Sequence, residues 1–591
     1  MLPRNNSLYP KINMNKRCHG KDVTPFGAFG EGEEIIFTLT LPRRLGASGV
    51  VFRLIRDGES FFDRPFSFVE RDGGDDLYNI TLKGLEKGLY FYEILFLRGS
   101  DTLFSDSVNN LDFQLSKSEG RSFTLLIYET AFHTPSFLKG GVIYHIFPDR
   151  FRRGKGDVTY HGIINDDWER GIPPYAKRAG DPLDNSVFFG GNLWGVIEKL
   201  DYLVSLGVTV IYLSPIFESV SNHRYDTGDY EKIDSLLGGV EAFDKLVSEC
   251  HKRDIKVILD GVFNHTGDDS RYFNKKGSYS ELGAYQGEKS HYFNWYNFKS
   301  FPDEYESWWG IDIMPRLCHE NKECRRYFTE NIARKWLRRG ADGWRLDVAD
   351  ELSDTFLFDF NRTVKNEGQF AIIGEVWENA VTKISYGKRR KYFWGSQLDS
   401  VMNYPLRNAV IALLLDHDTE TFYNTLTELY SSYPPEVSHS LMNIISTHDT
   451  ERMLSVLGNP TLSGEIDNDR LASSKLTPEE RQEAIKKMKI ASVIQYTVFG
   501  TPSLYYGDEA GMEGYRDPFC RLPYPWGREE KSLIEHYKML GALRATHPAL
   551  TDGDFDFLEH NESTVSYRRK KGNDAVTVKV DIQRTEYELN A

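Results

Sequence analysis

The chain has 591 residues, long enough for roughly two to four domains and a large core. Lys and Arg number 72 against 87 Asp and Glu, a formal net charge of −15 that argues against a nucleic-acid footprint. Five cysteines, Cys18, Cys250, Cys318, Cys324 and Cys520, form an odd set without paired CxxC spacing, which suits a reducing compartment and disfavours a zinc site.

The start of the chain, Met1-Leu2-Pro3-Arg4, lacks the apolar stretch of a secretory signal, and no run approaches the ~18 apolar residues of a membrane span. The expectation is a cytoplasmic protein with no membrane partner. From about residue 20 to 125, short β-rich runs alternate with Gly/Asp turns: Glu34 to Thr40, Val50 to Ile55, Tyr78 to Leu82 and Leu89 to Leu95. That spacing predicts a β-sandwich over residues 1–125. From Gly141, strands alternate with amphipathic helices, the signature of β/α units. Leu193, Val196, Ile197 and Leu200 mark one helix stripe, and Phe243, Leu246, Val247 and Cys250 another.

Strand candidates follow one another at Val142 to Phe147, Val208 to Ser214, Val257 to Asp260, Gly343 to Asp347, Ile372 to Glu375, Leu398 to Met402, Asn443 to Ser446 and Pro502 to Tyr506. Eight of them close a barrel, so the predicted fold is α/β, a (β/α)8 TIM barrel over residues 126–260 and 323–551. The third strand is followed by a long aromatic insertion, residues 261–322, containing Tyr292-Phe293-Asn294-Trp295-Tyr296 and Trp308-Trp309. Residues 552–591 alternate again, in Phe555 to Leu558 and Ala575 to Val580, and predict a short C-terminal β domain. No internal repeat or low-complexity linker is evident.

Four of the apolar runs lead into an acid: Lys256-Val257-Ile258-Leu259-Asp260, Gly343-Trp344-Arg345-Leu346-Asp347, Ala371-Ile372-Ile373-Gly374-Glu375, and Ile444-Ile445-Ser446-Thr447-His448-Asp449. Barrels of this kind keep their chemistry at the C-terminal ends of their strands. Any one buried acid is more readily read as structural; four in order, with His265 and His448 adjoining two of them, point to chemistry. A retaining cleavage of a glycosidic bond needs an ionised carboxylate and a protonated acid roughly 5 Å apart around the anomeric carbon. Arg345 lies two residues before Asp347 and shares its face of the strand, so it is expected to lower that carboxylate's pKa. Glu375 ends an apolar run, where desolvation is expected to raise its pKa. Asp347 therefore reads as nucleophile and Glu375 as acid/base. The histidines suit the fixing of neutral sugar hydroxyls, since imidazole donates or accepts.

The segments Asp260-Gly261-Val262-Phe263-Asn264-His265, Gly343 to Glu351, Gly374 to Trp377 and Ser446 to Asp449 resemble the successive signature regions of the α-amylase family. Within it the chain is similar to the neopullulanase, cyclomaltodextrinase and maltogenic amylase branch. Ile146 to Phe151, Ser221 to Thr227, Met314 to Leu317 and Tyr505 to Met512 extend the likeness over nearly the whole chain. The resemblance implies Asp449 as transition-state stabiliser, Asp260, Arg345, His265 and His448 as substrate-binding partners, and His223 with Tyr225 as the pair that contacts and stacks on the sugar being cleaved. Trp377, following Glu375-Val376, is expected on the acceptor side of the cleft; its bland reading is a core tryptophan. The insertion resembles the family's domain B, the tail the start of its C-terminal sheet cut short, and the N-terminal sandwich the element that pairs with a dimer partner. That sandwich reads equally well as a simple stabilising or glucan-binding module.

The implied activity is hydrolysis of α-1,4-glucosidic bonds in maltooligosaccharides, cyclodextrins, pullulan or starch fragments, with α-1,6 bonds as a further linkage. The alternatives are a transglycosylase using the same residues and a glucan-binding protein without chemistry, since fold does not fix function. Cys318 stands where the branch commonly has Asn, and Asp350 where Asn often precedes the Glu351 position. Branch members often carry a calcium loop after the Asp-Arg-Phe motif. Here it reads Asp149-Arg150-Phe151-Arg152-Arg153-Gly154-Lys155-Gly156, with Gly190-Gly191-Asn192 opposite. Calcium wants six to eight oxygen ligands, and Arg152, Arg153 and Lys155 add positive charge there, so the expectation is no metal and no other cofactor.

Overall fold

The computed structural model describes residues 13–18, 21–22, 27–178, 181 and 183–591. The residues read above for a secretory signal lie outside the described ones. The chain divides into two compact units, the first comprising the described residues of Met1–His133 with Asn379–Ser396 and Glu420–Ser438, the second Thr134–Glu378, Gln397–Thr419 and His439–Ala591.

In the first unit, Ile35–Pro42 alternates strictly between buried and part-exposed positions, and Gly49–Arg56 does so over most of its length. Period-two alternation puts one face of each strand inward. Two sheets result. One orders Lys21–Asp22, Asn13–Cys18, Ile35–Pro42, Asp75–Leu82 and Ser67–Asp72; the other is built on the long strand Gly88–Arg98. Between them Phe37, Phe52, Tyr92 and Phe123 form an aromatic core, with Tyr92 and Phe123 stacked at 4.8 Å. The segments from later in the chain join this unit by polar ties: Asn110 Nδ2 donates to the Ser431 carbonyl at 3.1 Å, and Arg121 pairs with Glu428 at 2.5 Å.

The second unit is the barrel. Its strands are β1 (Ile143–Ile146), β2 (Val210–Leu213), β3 (Lys256–Gly261), β4 (Gly343–Leu346), β5 (Ala371–Gly374), β6 (Ser400–Val401), β7 (Met442–Ile444) and β8 (Thr501–Tyr505). Each overlaps a strand expected from sequence, though β6 is only two residues long and β7 begins one residue earlier and ends two earlier than expected. Parallel ladders run β6-β5-β4-β3-β2-β1-β8-β7, and an isolated parallel bridge between Met402 and Met442 joins the two remaining edges. Ile143, Val210, Tyr212, Ile258, Ile373, Met442 and Ile444 fill the interior, so the barrel is a packed core rather than a pore. Outside, helix Gly239–His251 buries the expected stripe of Phe243, Leu246, Val247 and Cys250, together with Ala242. Truncating one such large side chain to Ala costs about 2–5 kcal/mol.

The β3–β4 connection carries the aromatic insertion, held by short turns and the hairpin Phe298–Ser300 with Glu304–Tyr305. A four-stranded antiparallel sheet, Asp554–His560 to Glu586–Asn590, ends the chain. Among the described residues no helix is long and apolar enough to cross a membrane. Cys250, Cys318, Cys324 and Cys520 are free thiols.

Candidate active site

Each acid expected from sequence sits at or just beyond the C-terminal end of a barrel strand. Asp260 belongs to the end of β3, Asp347 and Glu375 directly follow β4 and β5, and Asp449 lies in the loop after β7. The ladder continues one step past the strands, since Asp347 N–H donates to Gly261 O at 3.1 Å and Glu375 N–H to Leu346 O at 3.0 Å. Asp449 is held by a tight turn in which its N–H donates to Thr447 Oγ1 at 3.1 Å and Thr447 N–H to Thr450 Oγ1 at 3.0 Å.

One guanidinium gathers three of these carboxylates. Arg345, fully buried, donates from Nη1 to Asp260 Oδ1 and to Asp347 Oδ1, and from Nη2 to Glu375 Oε2, each at 2.8 Å. Charge-assisted bonds of this length are about twice as strong as neutral ones. Burial works against the Arg345 charge, and Asp260, Tyr212 and Glu375 more than offset it, so the group is held firmly cationic.

The expected downward shift at Asp347 is not found. Burial pushes its carboxyl well above the usual range; Arg345 pulls the other way, and Glu375, Asp260 and Asp449 add like-charge repulsion. Asp260 and Asp449 are likewise raised by burial, against the pull of Arg345 and Arg521. The reason is the count of charges: one guanidinium faces three acids that folding buries, so desolvation and mutual repulsion outweigh it at Asp347. Asp260, Asp347 and Asp449, raised together, titrate as linked groups rather than singly.

Glu375 takes three donors. Besides Arg345, the Val348 N–H donates to Oε2 at 2.8 Å and the Trp377 indole N–H to Oε1 at 3.0 Å. Val348 adopts φ 39°, ψ 56°, a left-handed conformation costly for a β-branched residue, and this turn aims its amide at Glu375. Trp377 is not a core residue: it is 44% exposed and its ring stacks on Tyr404 at 3.8 Å.

The histidines and tyrosines form one network. Tyr225 Oη donates to Asp260 Oδ2 at 2.9 Å and lies 2.5 Å from His448 Nε2, with the two ring planes within 5°. His448 Nε2 is also 3.2 Å from Asp449 Oδ2. His265 Nε2 sits 3.2 Å from the Tyr225 carbonyl, and His223 Nδ1 accepts from Tyr225 N–H at 3.1 Å. Burial lowers the pKa of all three histidines, that of His265 to about 4, so each is neutral at pH 7. Neutral imidazole can both donate and accept.

Sequence reasoning missed several partners. Tyr212 Oη donates to Asp260 Oδ2 at 2.5 Å, and Arg521 places Nε 2.8 Å from the His448 carbonyl and Nη2 3.4 Å from Asp449 Oδ1. Tyr212 sits inside an apolar strand and Arg521 at the end of the single 3-10 turn Phe519–Arg521, and neither carries a periodic signal. Val348 left none either, because nothing in its neighbours foretells a positive φ.

The calcium loop implied by the resemblance does not fit that ion. Arg153 donates from Nε to Phe189 O and from Nη2 to Asn165 O, both at 2.6 Å, and pairs from Nη1 with Asp166 at 3.2 Å. Asp149 accepts from the backbone N–H groups of Phe189 and Gly190 and from Arg150 Nε at 2.7 Å. The Asn192 side chain caps helix Leu193–Glu198. The oxygens a cation would need are already bound to a guanidinium or to backbone amides. Among the described residues, no three His, Cys, Asp or Glu side chains cluster so as to hold a metal.

Comparison with known proteins agrees with this geometry. The family described as Alpha amylase, catalytic domain, matches residues 145–532. An amylopullulanase of Thermoanaerobacter thermohydrosulfuricus is 38% identical over 509 residues, 77% of this chain and 33% of that one, so the chain spans about a third of that relative's length. A cyclomaltodextrinase of a Bacillus species is 36% identical over 462 residues, covering 76% of this chain and 73% of that one. A solved structure titled cyclomaltodextrinase superposes with a TM-score of 0.65 at 30% identity, over 93% of this chain and 88% of its own.

Proposed function

Since the chain belongs to the α-amylase family, we propose that it hydrolyses α-1,4-glucosidic bonds in maltooligosaccharides, cyclodextrins, pullulan or starch fragments by a retaining mechanism, with α-1,6 bonds as a second linkage. The observation that carries this reading is the single buried guanidinium of Arg345 bonded to both Asp347 and Glu375. It keeps a nucleophile and an acid side by side, as the close spacing of a double displacement demands.

Asp347 attacks the anomeric carbon while Glu375 gives its proton to the departing oxygen. Glu375 then takes a proton from water, whose oxygen displaces Asp347 and releases the sugar. The leaving-group oxygen approaches Glu375 Oε1 where the Trp377 N–H now sits. Asp449 holds sugar hydroxyls as charge develops at the anomeric centre, with His448, His265 and His223 as neutral partners and Tyr225 at the cleaved sugar. The α-1,6 activity draws on the amylopullulanase name of one relative and on Trp377 beside the acid. The half-exposed Trp377 also favours a second reading, transfer to a sugar acceptor stacked on its ring in place of water.

The proposal extends to a cytoplasmic homodimer paired through the N-terminal unit. Free thiols support the compartment, and exposed Phe61, Phe62, Phe68 and Val69 on that unit support the pairing. Release of reducing ends from maltoheptaose and pullulan tests the hydrolase, and separating panose, maltose and maltotriose products assigns the linkage. No release from any α-glucan would overturn it.

A further inference from the structure

We propose that Trp309 is the outer step of an aromatic track that guides an α-glucan chain into the pocket, an inference that rests on the hydrolase reading above. Trp309 is 75% exposed, the most exposed tryptophan among the large apolar side chains left at the surface. Water disfavours so much uncovered ring, and the backbone here is unfavourable too, at φ 51°, ψ 25° in the left-handed region.

The ring is nevertheless held in one orientation from two sides. Its indole N–H donates to Glu351 Oε1 at 3.2 Å, and its face lies on Trp308 at 5.0 Å with 21° between the planes. Glu351 is in turn fixed by Arg316, whose Nη2 lies 3.3 Å from the Glu351 carbonyl and 3.8 Å from its carboxylate. Trp308 is anchored by its backbone N–H to Met314 O at 3.0 Å. An exposed indole pinned by a hydrogen bond, a stack and an ion pair is a rigid platform, which binds at little cost in side-chain entropy.

The platform is continuous with the catalytic network. Trp308 stacks on His265 at 5.3 Å with 24° between planes, and His265 bonds to the carbonyl of Tyr225, whose hydroxyl bonds to Asp260. Trp309, Trp308 and His265 thus form a stack built out from the catalytic network, in which the outermost ring, Trp309, keeps the exposed face. The chemistry they select is a neutral sugar chain, whose pyranose C–H face covers an aromatic ring. The carboxylate of Glu351 at the edge of the indole, together with the chain's net charge of −15, disfavours a phosphorylated polymer.

Because Trp309 lies two ring steps from His265, it meets sugars remote from the cleaved bond, and its removal must penalise long substrates more than short ones. Trp309→Ala is expected to lower kcat/KM on maltoheptaose and pullulan about three- to tenfold more than on maltotriose, through KM rather than kcat. Trp309→Phe should recover most of the difference, and thermal stability should be unchanged. Equal losses at all chain lengths, a loss confined to kcat, or no loss would overturn the track. If the wild-type chain cleaves none of the three glucans, the hydrolase reading fails. Calorimetric titration of maltoheptaose into wild type and Trp309→Ala then still decides the track, because equal affinities would refute it and weaker binding by the variant would sustain it.

Discussion

Replacing Arg345 tests the centre of the proposed chemistry most directly. Arg345→Met keeps the length of the side chain and removes three charge-assisted bonds of 2.8 Å, to Asp260, Asp347 and Glu375. Bonds of this type contribute about 1.5–3 kcal/mol each. The two that orient the proposed nucleophile and acid therefore amount to about 3–6 kcal/mol, which corresponds to a fall in kcat/KM of about 10²- to 10⁴-fold. The guanidinium is also the largest influence pulling Asp347, already raised by burial, back down. Without it Asp347 ionises only at higher pH, so the acid limb of the kcat/KM profile moves toward alkaline pH. Stability changes as well, because unpairing a buried ion cluster costs about 3–5 kcal/mol. Arg345→Lys keeps the charge, but an ammonium on a flexible stem lacks the planar fork, so only part of the rate returns. The assay is a pH series of initial rates on maltoheptaose with circular dichroism to confirm folding. Activity within tenfold of wild type and an unmoved acid limb would refute this role for Arg345.

Asp347→Ala and Glu375→Gln should each abolish glucan hydrolysis with the fold intact; more than a tenth of wild-type activity in either would reassign the roles. Trp377→Val is expected to shift the panose-to-maltose ratio on pullulan, since its indole covers the outer oxygen of Glu375, and an unchanged ratio would remove it from the acceptor side. Exhaustive EDTA treatment should leave melting temperature and hydrolysis unchanged, because Arg153 already binds the Phe189 and Asn165 carbonyls; a large loss restored specifically by calcium would contradict this. The buried His319 donates from Nε2 to the Phe263 carbonyl at 2.9 Å, and burial lowers its pKa from 6.5 to about 4. The native state therefore resists a proton that the unfolded chain accepts, so stability present above pH 6.5 is lost as pH falls toward 4. Relative to His319→Gln, wild type should lose about 3 kcal/mol over that window, read from denaturant midpoints, and parallel pH dependences would show that the ring is not held neutral.

Much of this protein is legible in the order of its residues. Eight apolar runs of strand length separated by amphipathic stripes specify the barrel, because strand and helix periods dictate which side chains face inward. The same local rule puts Arg345 and Asp347 on one face and leaves Glu375 at a strand end. The identities of the acids and their histidine neighbours were therefore available from sequence. Tertiary structure alone decided the electrostatics. Arg345 was expected to hold Asp347 ionised, yet Asp260 and Glu375, brought in from β3 and β5, share the same guanidinium and burial turns the balance upward. It also decided the partners that carry no periodic signal: Tyr212 on Asp260, Arg521 beside Asp449, the strained Val348 amide on Glu375, and Trp309 pinned by Glu351. Residues 379–396 and 420–438 joined the N-terminal unit for the same reason. A side chain's orientation along its own strand is a local property of the backbone, whereas its dielectric surroundings and hydrogen-bond partners are set by groups that folding brings from anywhere in the chain.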